Sequence, residues 1–378
     1  MTTRRYPTTR SWDRTAWPHD PSRRWTLRLA CGLPLVLIAV LASRSGYVSP
    51  ELAELSARAE QVRRGEGLQQ LSAAYPPLPT LTAAILPGGA VWISVISALL
   101  GGVALQLVLA RLVRRQTGWL VGSALVVALV GSPAVWFQAT QNPSQFMALM
   151  FLVIAIDGFV RFVVRDDTAG GFASGLALAG AFLCDPVGLI YLIAIVASTP
   201  VLARRPGLNP RNRATMIVLA FPTLSVMASW AFLEWRFSGS AFATVWSTTD
   251  AFRLDASAMV SAVADVFATV LVSAVFVAVA FVVVLRRPRA AAALAVPAVG
   301  MGLTAIIGLP FAPGLVLALL TFVALYSAPR NLRRYEQVFL VVGAAAQLVI
   351  TLSWRPDRAL QSFVEVVCLG ASCPLIGT

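Results

Sequence analysis

The sequence contains no lysine, one histidine and four cysteines in 378 residues. Without lysine there is no amine for a Walker-type phosphate loop or for Schiff-base chemistry. His19 lies in the N-terminal tail, which disfavours a catalytic set of serine, histidine and aspartate. The cysteines have too few potential ligands around them for a zinc site. These absences remove several common classes of soluble enzyme.

Charged residues are also scarce, at 12% of the chain against 58% hydrophobic residues. Apolar runs of about 20 residues, the length that spans a bilayer core of roughly 30 Å, recur from Leu27 onward. The sequence therefore predicts an all-α fold, a polytopic transmembrane helical bundle. We predict about 11 spans, at residues 27–43, 90–112, 118–138, 146–164, 171–184, 187–203, 214–234, 264–285, 290–309, 314–328 and 335–354.

The basic residues predict the orientation of these spans. All 30 are arginine, and most lie in short clusters at the ends of apolar runs, which favours a role in topology over nucleic-acid binding. With the N-terminus inside, 22 arginines fall on the inner side and eight on the outer side. The positive-inside rule then predicts a multi-pass protein of the cell membrane, in contact with lipid, with a cytoplasmic N-terminus and an outer C-terminus.

This topology divides the chain into a disordered cytoplasmic tail (1–26), a membrane domain (27–354) and an outer C-terminal tail (355–378). The first apolar run lacks a small-residue cleavage site and is read as a retained helix. The first outer loop covers residues 44–89. Cys368 and Cys373 lie in the outer tail, where an oxidising compartment favours a disulfide between them.

The stretch "SPELAELSARAEQVRRGEG" in the first outer loop predicts a surface helix. Ser49 is a good N-cap, Pro50 suits the first helical position, and Gly65 allows a left-handed residue at the end. A stripe at helical spacing can lie on the membrane surface or on neighbouring helices; it comprises Leu52, Leu55, Ala59 and Val62.

The acidic residues of this helix differ in their surroundings. Glu54 and Arg58 are four residues apart, as are Glu60 and Arg64, which predicts two surface ion pairs. Glu51 meets an apolar residue four positions on and has no partner in the next turn. It either complements the helix dipole or has a functional role.

The stretch "YPPLP", Tyr75 to Pro79, precedes the second predicted span. Prolines fix the backbone near polyproline geometry and cannot continue a helix, so the stretch predicts a rigid segment above the membrane. It is either a re-entry turn before the span or one wall of an active site.

The order of Glu51, Ala59, Gly65 and "YPPLP" after the first span resembles the first outer loop of GT-C integral-membrane glycosyltransferases. That family includes polyprenyl-phosphate-dependent protein mannosyltransferases and lipid A aminoarabinose transferases. The stretches "GSPAVWFQATQNPSQ" and "GLALAGAFLCDPVGLIYL" are similar to the family's next outer loop and short helix pair. The resemblance covers residues 27–205.

The resemblance implies a GT-C-like fold that moves a sugar from a polyprenyl-phosphate donor to a hydroxyl of a glycan, lipid or protein acceptor, with inversion. It implies Glu51 as the general base and "YPPLP" as part of the substrate site. The substrate contacts that it implies are Tyr75, Pro76 and Pro77 of this stretch and, outside it, Arg58, Arg63, Arg64, Asp185 and Arg236. The arginines either bind the donor phosphate or contact lipid headgroups. No metal ligand is assigned, and a divalent cation is the one cofactor that the resemblance allows.

Three departures from the family pattern are visible. The family's acid is most often aspartate, whereas this chain has Glu51. Many members have a charged residue in the second outer loop, where this chain has Gln141, Asn142 and Gln145. Asp185 replaces the polar residue that relatives often have before proline; it marks either a polar cavity or a structural helix end.

The alternative to an enzyme is a non-catalytic GT-C-like subunit that binds lipid or a partner protein, and the small number of outer acids favours it. A transporter is disfavoured because the spans are nearly free of charge. Asp157, four residues before Arg161 near an inner span end, predicts a structural ion pair.

Overall fold

The computed structural model describes residues 18, 20–65, 74–86, 90–114, 118–165, 167–203, 207, 209–242, 256–286, 288–306, 313–327, 331–353 and 358–367. Within these ranges the chain is helical and has no β-strand. The helices are α1 (Pro21–Arg44), α2 (Pro50–Arg64), α3 (Pro77–Ile85), α4 (Ala90–Arg114), α5 (Trp119–Val130), α6 (Pro133–Gln141), α7 (Pro143–Arg165), α8 (Thr168–Cys184), α9 (Val187–Leu202), α10 (Pro210–Ser238), α11 (Ala256–Val272), α12 (Ala274–Arg286), α13 (Pro288–Ile306), α14 (Pro313–Ser327), α15 (Arg334–Ser353) and α16 (Arg358–Val367).

The helical bundle agrees with the predicted fold class. In the described part of the chain, five helices are long and apolar enough to cross a membrane, namely α1, α4, α7, α10 and α15. A sixth span results if α5 and α6, which meet at an angle of 55°, are counted as one broken crossing. Other apolar helices, such as α8 and α9, have only 10–17 residues. The count of 11 spans and the direction in which the bundle faces stay predictions.

The first helix begins earlier than expected. Residues 21–26 were assigned to a disordered tail, but α1 starts at Pro21. The Asp20 carboxylate caps the helix by accepting the Ser22 N–H, and Pro21 occupies the first helical position, where its missing N–H has no intrahelical partner to lose. The rest of the predicted tail, residues 1–17 and 19, lies outside the described residues.

Two predicted spans are interrupted in the structure. The span at 118–138 breaks between α5 and α6, because Pro133 cannot continue the hydrogen-bonding pattern of the preceding helix. The span at 264–285 breaks at Ser273 between α11 and α12. There the buried Gln347 side chain of α15 accepts the Val275 N–H at 3.0 Å and donates to Thr321 at 2.8 Å. The amide of Gln347 thus satisfies a backbone group that the break releases.

Small residues allow close helix packing near the middle of the bundle. A Cβ atom on Gly102 of α4 would lie 2.5 Å from the backbone of Gly32 in α1, so only glycine fits at this crossing. Apolar side chains from α4, α5, α7, α8 and α14 form the continuous core; among them are Leu105, Leu125, Phe159, Leu178 and Phe322. Close backbone approach of this kind is the usual mode of helix association in a membrane.

One end of the bundle, which we call the α2 end, gathers the segments predicted to lie outside. Ser49 at the start of α2 contacts Gln141 at the end of α6, and the Tyr75 hydroxyl contacts Phe182 in α8. Helix α16 also lies there, since the Phe363 ring packs on Tyr47 with ring centroids 5.7 Å apart. The sequence predicts an outer tail for these residues and no helix within it. Cys368 and Cys373 lie outside the described residues.

The opposite end, which we call the Asp157 end, is held by ion pairs. The Asp157 carboxylate lies 2.9 Å from Arg111 and 3.2 Å from Arg161, which confirms the predicted structural pair and adds a second arginine. The buried Glu336 carboxylate at the start of α15 pairs with Arg286 at the end of α12. The Arg111–Asp157 and Arg286–Glu336 pairs join helices that are distant in the sequence.

Candidate functional site

Helix α2 forms at the predicted residues. The Ser49 hydroxyl accepts the Leu52 N–H at 3.1 Å, as expected of an N-cap, and donates to the Gln141 carbonyl at 2.6 Å. The expected left-handed end at Gly65 is wrong: its φ of −77° and ψ of 143° are extended backbone, so the chain leaves the helix directly without a glycine turn.

The apolar stripe of α2 packs on protein. Its buried residues Leu52, Leu55 and Ala59 contact neighbouring helices, and Val62 is half-buried. Their partners come from α3, α4, α7 and the end of α8, and they comprise Ala83, Ile93, Met147, Ala148 and Cys184. Of the two predicted positions for this helix, the structure therefore selects the one on neighbouring helices. Helix α2 covers the end of the bundle.

The two parts of the "YPPLP" stretch differ in backbone conformation. The peptide bond between Tyr75 and Pro76 is cis, and Pro76 is extended. From Pro77 onward the chain is helical, so the prediction of polyproline geometry through Pro79 is wrong. Prolines are tolerated in the first turn because the first N–H groups of a helix have no intrahelical acceptors. The stretch thus starts α3.

Tyr75 is the best-anchored residue of this stretch. Its side chain is buried, and its hydroxyl donates to the Phe182 carbonyl at 2.9 Å. Its ring lies 5.7 Å from the Phe182 ring and 5.8 Å from the Trp230 ring. Burial raises the pKa of the Tyr75 phenol well above its usual value, and the charges of Asp185 and Glu234 raise the pKa further. Tyr75 is therefore a neutral donor.

Two carboxylates lie near Tyr75. Asp185, between α8 and α9, accepts the Val187 N–H at 2.8 Å. Burial raises the pKa of Asp185 to about 6, against the lowering effect of that hydrogen bond. The fully buried Glu234 accepts the indole N–H of Trp230 at 2.7 Å. Of the two predicted readings of Asp185, the structure shows the helix end, since Asp185 is the C-cap residue of α8; a polar cavity there stays a prediction.

Trp230 and Glu234 are residues of this neighbourhood that the sequence did not predict. A signal was available, because an acidic residue near the end of a long apolar span is costly unless it is paired or wet, and Trp230 lies one helical turn before Glu234. The same reasoning had singled out Asp185. No local pattern predicts that Tyr75 contacts both Phe182 of α8 and Trp230 of α10.

The arginines of α2 bind backbone carbonyls and carboxylates. Arg58 donates to the Tyr75 carbonyl at 2.8 Å and pairs with Glu54 at 2.8 Å. Arg64 pairs with Glu60 at 2.7 Å, so both predicted ion pairs are confirmed. Arg63 donates to the carbonyls of Leu86, at 2.7 Å, and Ala84, at 3.2 Å. Arg58 and Arg63 thereby fasten α2 to the two ends of α3.

Arg236 and Glu51 are exposed and form no ion pair with a described residue. Arg236 lies near the end of α10, with its guanidinium 5.8 Å from the centroid of the Phe237 ring. Glu51 lies in the first turn of α2 and forms no ion pair with any described residue. Glu51 lies two residues after Ser49, whose N–H donates to the Gln141 side chain at 3.2 Å. Its role as a base stays a prediction.

The segment predicted to be the second outer loop adjoins the start of α2. The Gln141 side chain accepts the Ser49 N–H at 3.2 Å, and Asn142 donates to Gln145 at 2.8 Å. More polar side chains lie in the neighbouring α3, α4 and α6. In the described part of the chain, four of them have a buried side-chain oxygen without a hydrogen-bond partner: Thr80, Ser94, Ser97 and Gln138. Such groups normally bind water or a ligand.

A groove of about 330 Å³ runs along the bundle below α2. Its lining is uncharged and comes mainly from α3, α4 and α7, with Thr82, Ile96, Val108, Met147 and Ile154 among the lining residues. From Ile96 to Val108 the rise of α4 is about 18 Å. Met147 and Cys184 line the groove and also pack under α2. The groove therefore ends beneath the α2 cover.

Within the described residues, no three histidine, cysteine, aspartate or glutamate side chains group closely enough to hold a metal ion. A divalent cation stays a prediction from the resemblance alone. Comparison of the chain with protein-family models, with curated proteins and with solved structures finds no match in any of the three.

Proposed function

We propose that the protein transfers a sugar from a polyprenyl-phosphate carrier to an acceptor hydroxyl at the α2 end of the bundle. The groove that ends beneath α2 is the observation that carries this proposal. Its apolar lining suits an isoprenoid or acyl chain, and Met147 and Cys184 connect it to the helix that bears Glu51. A lipid tail in the groove brings its head group to α2.

The proposed reaction needs a base and a polar surface at this place. The acceptor oxygen attacks the anomeric carbon, the bond from that carbon to the phosphate oxygen breaks, and the lipid phosphate leaves. Glu51 takes the proton of the acceptor hydroxyl, which its exposed carboxylate can do without first breaking an ion pair with a described residue. The buried hydroxyl and amide groups of Ser94, Ser97 and Gln138 suit a ligand rich in hydroxyl groups.

Glu51→Gln tests this assignment. The change keeps the size of the side chain and removes the base, so sugar transfer from a polyprenyl-phosphate donor should fall by about two orders of magnitude. Glu54→Gln is the matched control, because Glu54 is on the same helix and pairs with Arg58 at the surface; its activity should stay near that of the wild type. Equal losses in the two variants contradict the role of Glu51.

A second candidate is a lipid-binding subunit without catalysis. The positions of Arg58 and Arg63 favour it, since their guanidinium groups bind the carbonyls of Tyr75, Ala84 and Leu86, where an enzyme would aim them at phosphate. If the wild type binds polyprenyl phosphate in detergent but transfers no sugar from any donor tested, this candidate replaces the first.

A further inference from the structure

Helix α16 packs on α1 and α6 at the α2 end of the bundle. Its Leu360 and Phe363 are buried in one cluster with Ala42 of α1 and Phe137 of α6. Glu365, on the other face of the helix, is exposed. The apolar face therefore fixes the position of α16 relative to α1 and α6.

The Phe363 ring joins two segments of the α2 end. Its centroid lies 5.7 Å from that of the Tyr47 ring and 5.5 Å from that of the Phe137 ring, and both contacts are edge-to-face. Aromatic pairs with this geometry attract each other beyond the effect of burial. Tyr47 belongs to the connection between α1 and α2, whereas Phe137 belongs to α6. One buried side chain of α16 thus holds both segments.

Tyr47 is part of the turn that directs the chain from α1 into α2. The Tyr47 N–H donates to the Ala42 carbonyl at 3.0 Å, and the Gly46 N–H donates to the Ser43 carbonyl at 3.1 Å. Gly46 has a left-handed backbone, with φ of 74°. These are the features of a Schellman motif, in which the residue after the glycine packs against the last turn of the helix. Phe363 therefore contacts this turn at the residue that leaves it.

Both segments that the ring contacts lead to the start of α2. Tyr47 is two residues before Ser49. Phe137 is one helical turn before Gln141. The Ser49 N–H and hydroxyl donate to Gln141 at 3.2 and 2.6 Å, and Ser49 is the N-cap of the turn that bears Glu51. A displacement of either segment therefore displaces Glu51.

We infer that α16 positions Glu51, with Phe363 as the positioning residue. The inference rests on the proposed function, in which Glu51 is the base. Misplacement of a reacting group by about 1 Å can cost roughly 10²-fold in rate. No described residue of α16 lines the groove, so this helix acts on the base through the start of α2 and not through the lipid.

Amide hydrogen exchange of the full chain in detergent tests the inference without an assay of activity. Phe363→Leu keeps an apolar side chain and removes both ring contacts, so the segment from Tyr47 to Leu55 should exchange about fivefold faster or more. Phe159→Leu is the matched control. Phe159 is an equally buried ring of α7 at the Asp157 end, and its loss should leave exchange in that segment unchanged.

The kinetics of sugar transfer test the link to Glu51. Phe363→Leu should lower kcat about tenfold or more and leave KM for a polyprenyl-phosphate sugar within about twofold, because the groove is intact. Gly46→Ala should give the same result by another route. Its Cβ would meet no atom within 4 Å, but the left-handed backbone strains an alanine and displaces the turn. Phe159→Leu should keep the kcat of the wild type.

Three results overturn the inference. The first is unchanged exchange of the segment from Tyr47 to Leu55 in Phe363→Leu. The second is an equal change in Phe363→Leu and Phe159→Leu, which indicates a general loss of stability. The third is a higher KM with an unchanged kcat in Phe363→Leu, which indicates a role in donor binding. If the wild type transfers no sugar, the proposed function fails, and the exchange result still decides whether α16 holds Glu51 in place.

Discussion

Arginine and carboxylate side chains have different partners at the two ends of the bundle. At the Asp157 end, arginines neutralise carboxylates: Asp157 lies between Arg111 and Arg161, and Glu336 pairs with Arg286. At the α2 end, Arg58 and Arg63 pair with Glu54 and Glu60 within α2, and they also donate to backbone carbonyls around α3. Among the described residues, Glu51 and Asp185 form no ion pair there.

This difference has a physical basis and a consequence. A buried ion pair fixes two helix ends relative to each other, but it also removes both charges from further chemistry. A carboxylate without a cationic partner keeps its capacity to take a proton or bind a hydroxyl group. The Asp157 end is therefore built for cohesion, whereas the α2 end keeps two carboxylates that no described cation neutralises.

The largest effect that this comparison predicts is at the Asp157 end. Arg286→Ala should lower the free energy of unfolding by about 3–5 kcal/mol, because Glu336 is buried and would remain as an uncompensated carboxylate beside the Arg333 N–H. Thermal unfolding in detergent measures the loss. Arg286→Met combined with Glu336→Leu is the control and should recover most of it, since no charge is left buried. A double variant as unstable as Arg286→Ala would show that the charge is not the cause.

A medium effect is expected where α2 is fastened to α3. Arg58→Ala removes an ion pair and the donor to the Tyr75 carbonyl, and should cost about 1–3 kcal/mol of unfolding free energy. Arg64→Ala removes an ion pair of the same spacing, that with Glu60, and should cost less than about 1 kcal/mol. Their difference in thermal midpoint isolates the carbonyl contact; equal midpoints mean that this contact does not hold the cover.

Local features of the α2 end were predictable and long-range ones were not. Ser49 as N-cap and the Glu54–Arg58 pair follow from residues within one helical turn, so the sequence alone specifies them. The bond from Arg58 to the Tyr75 carbonyl joins residues 17 positions apart, and that from Tyr75 to Phe182 joins residues 107 apart. Such contacts depend on how the helices pack, which periodicity does not encode.

The errors in prediction have similar physical causes. Prolines suit both polyproline geometry and the first turn of a helix, so "YPPLP" alone does not distinguish the two, and the packing of α3 under α2 decides. Helix α16 was predictable, because Leu360, Phe363, Val364 and Val367 recur at helical spacing. The groove was not predictable, since it is formed by helices that are distant in the sequence.

The smallest predicted effect is a pH dependence at the α2 end. Because the pKa of Asp185 rises from an ordinary 3.8 to about 6 in the folded protein, the native state holds a proton that the unfolded chain releases between these pH values. The contribution of Asp185 to stability therefore falls as the pH rises from about 4 to about 6, and is constant above that. The Asp185→Asn side chain cannot ionise and can still accept the Val187 N–H. The variant should therefore be as stable as the wild type near pH 4. Near pH 7 it should be more stable by about 1 kcal/mol, a value that is reduced because part of the Asp185 side chain is accessible to solvent. Thermal midpoints of both proteins across this range measure the difference, with Glu54→Gln as the control for an exposed acid. A difference that stays constant from pH 4 to pH 7 would mean that Asp185 is as well solvated as the surface carboxylates, and the contrast between the two ends would then rest on Glu51 alone.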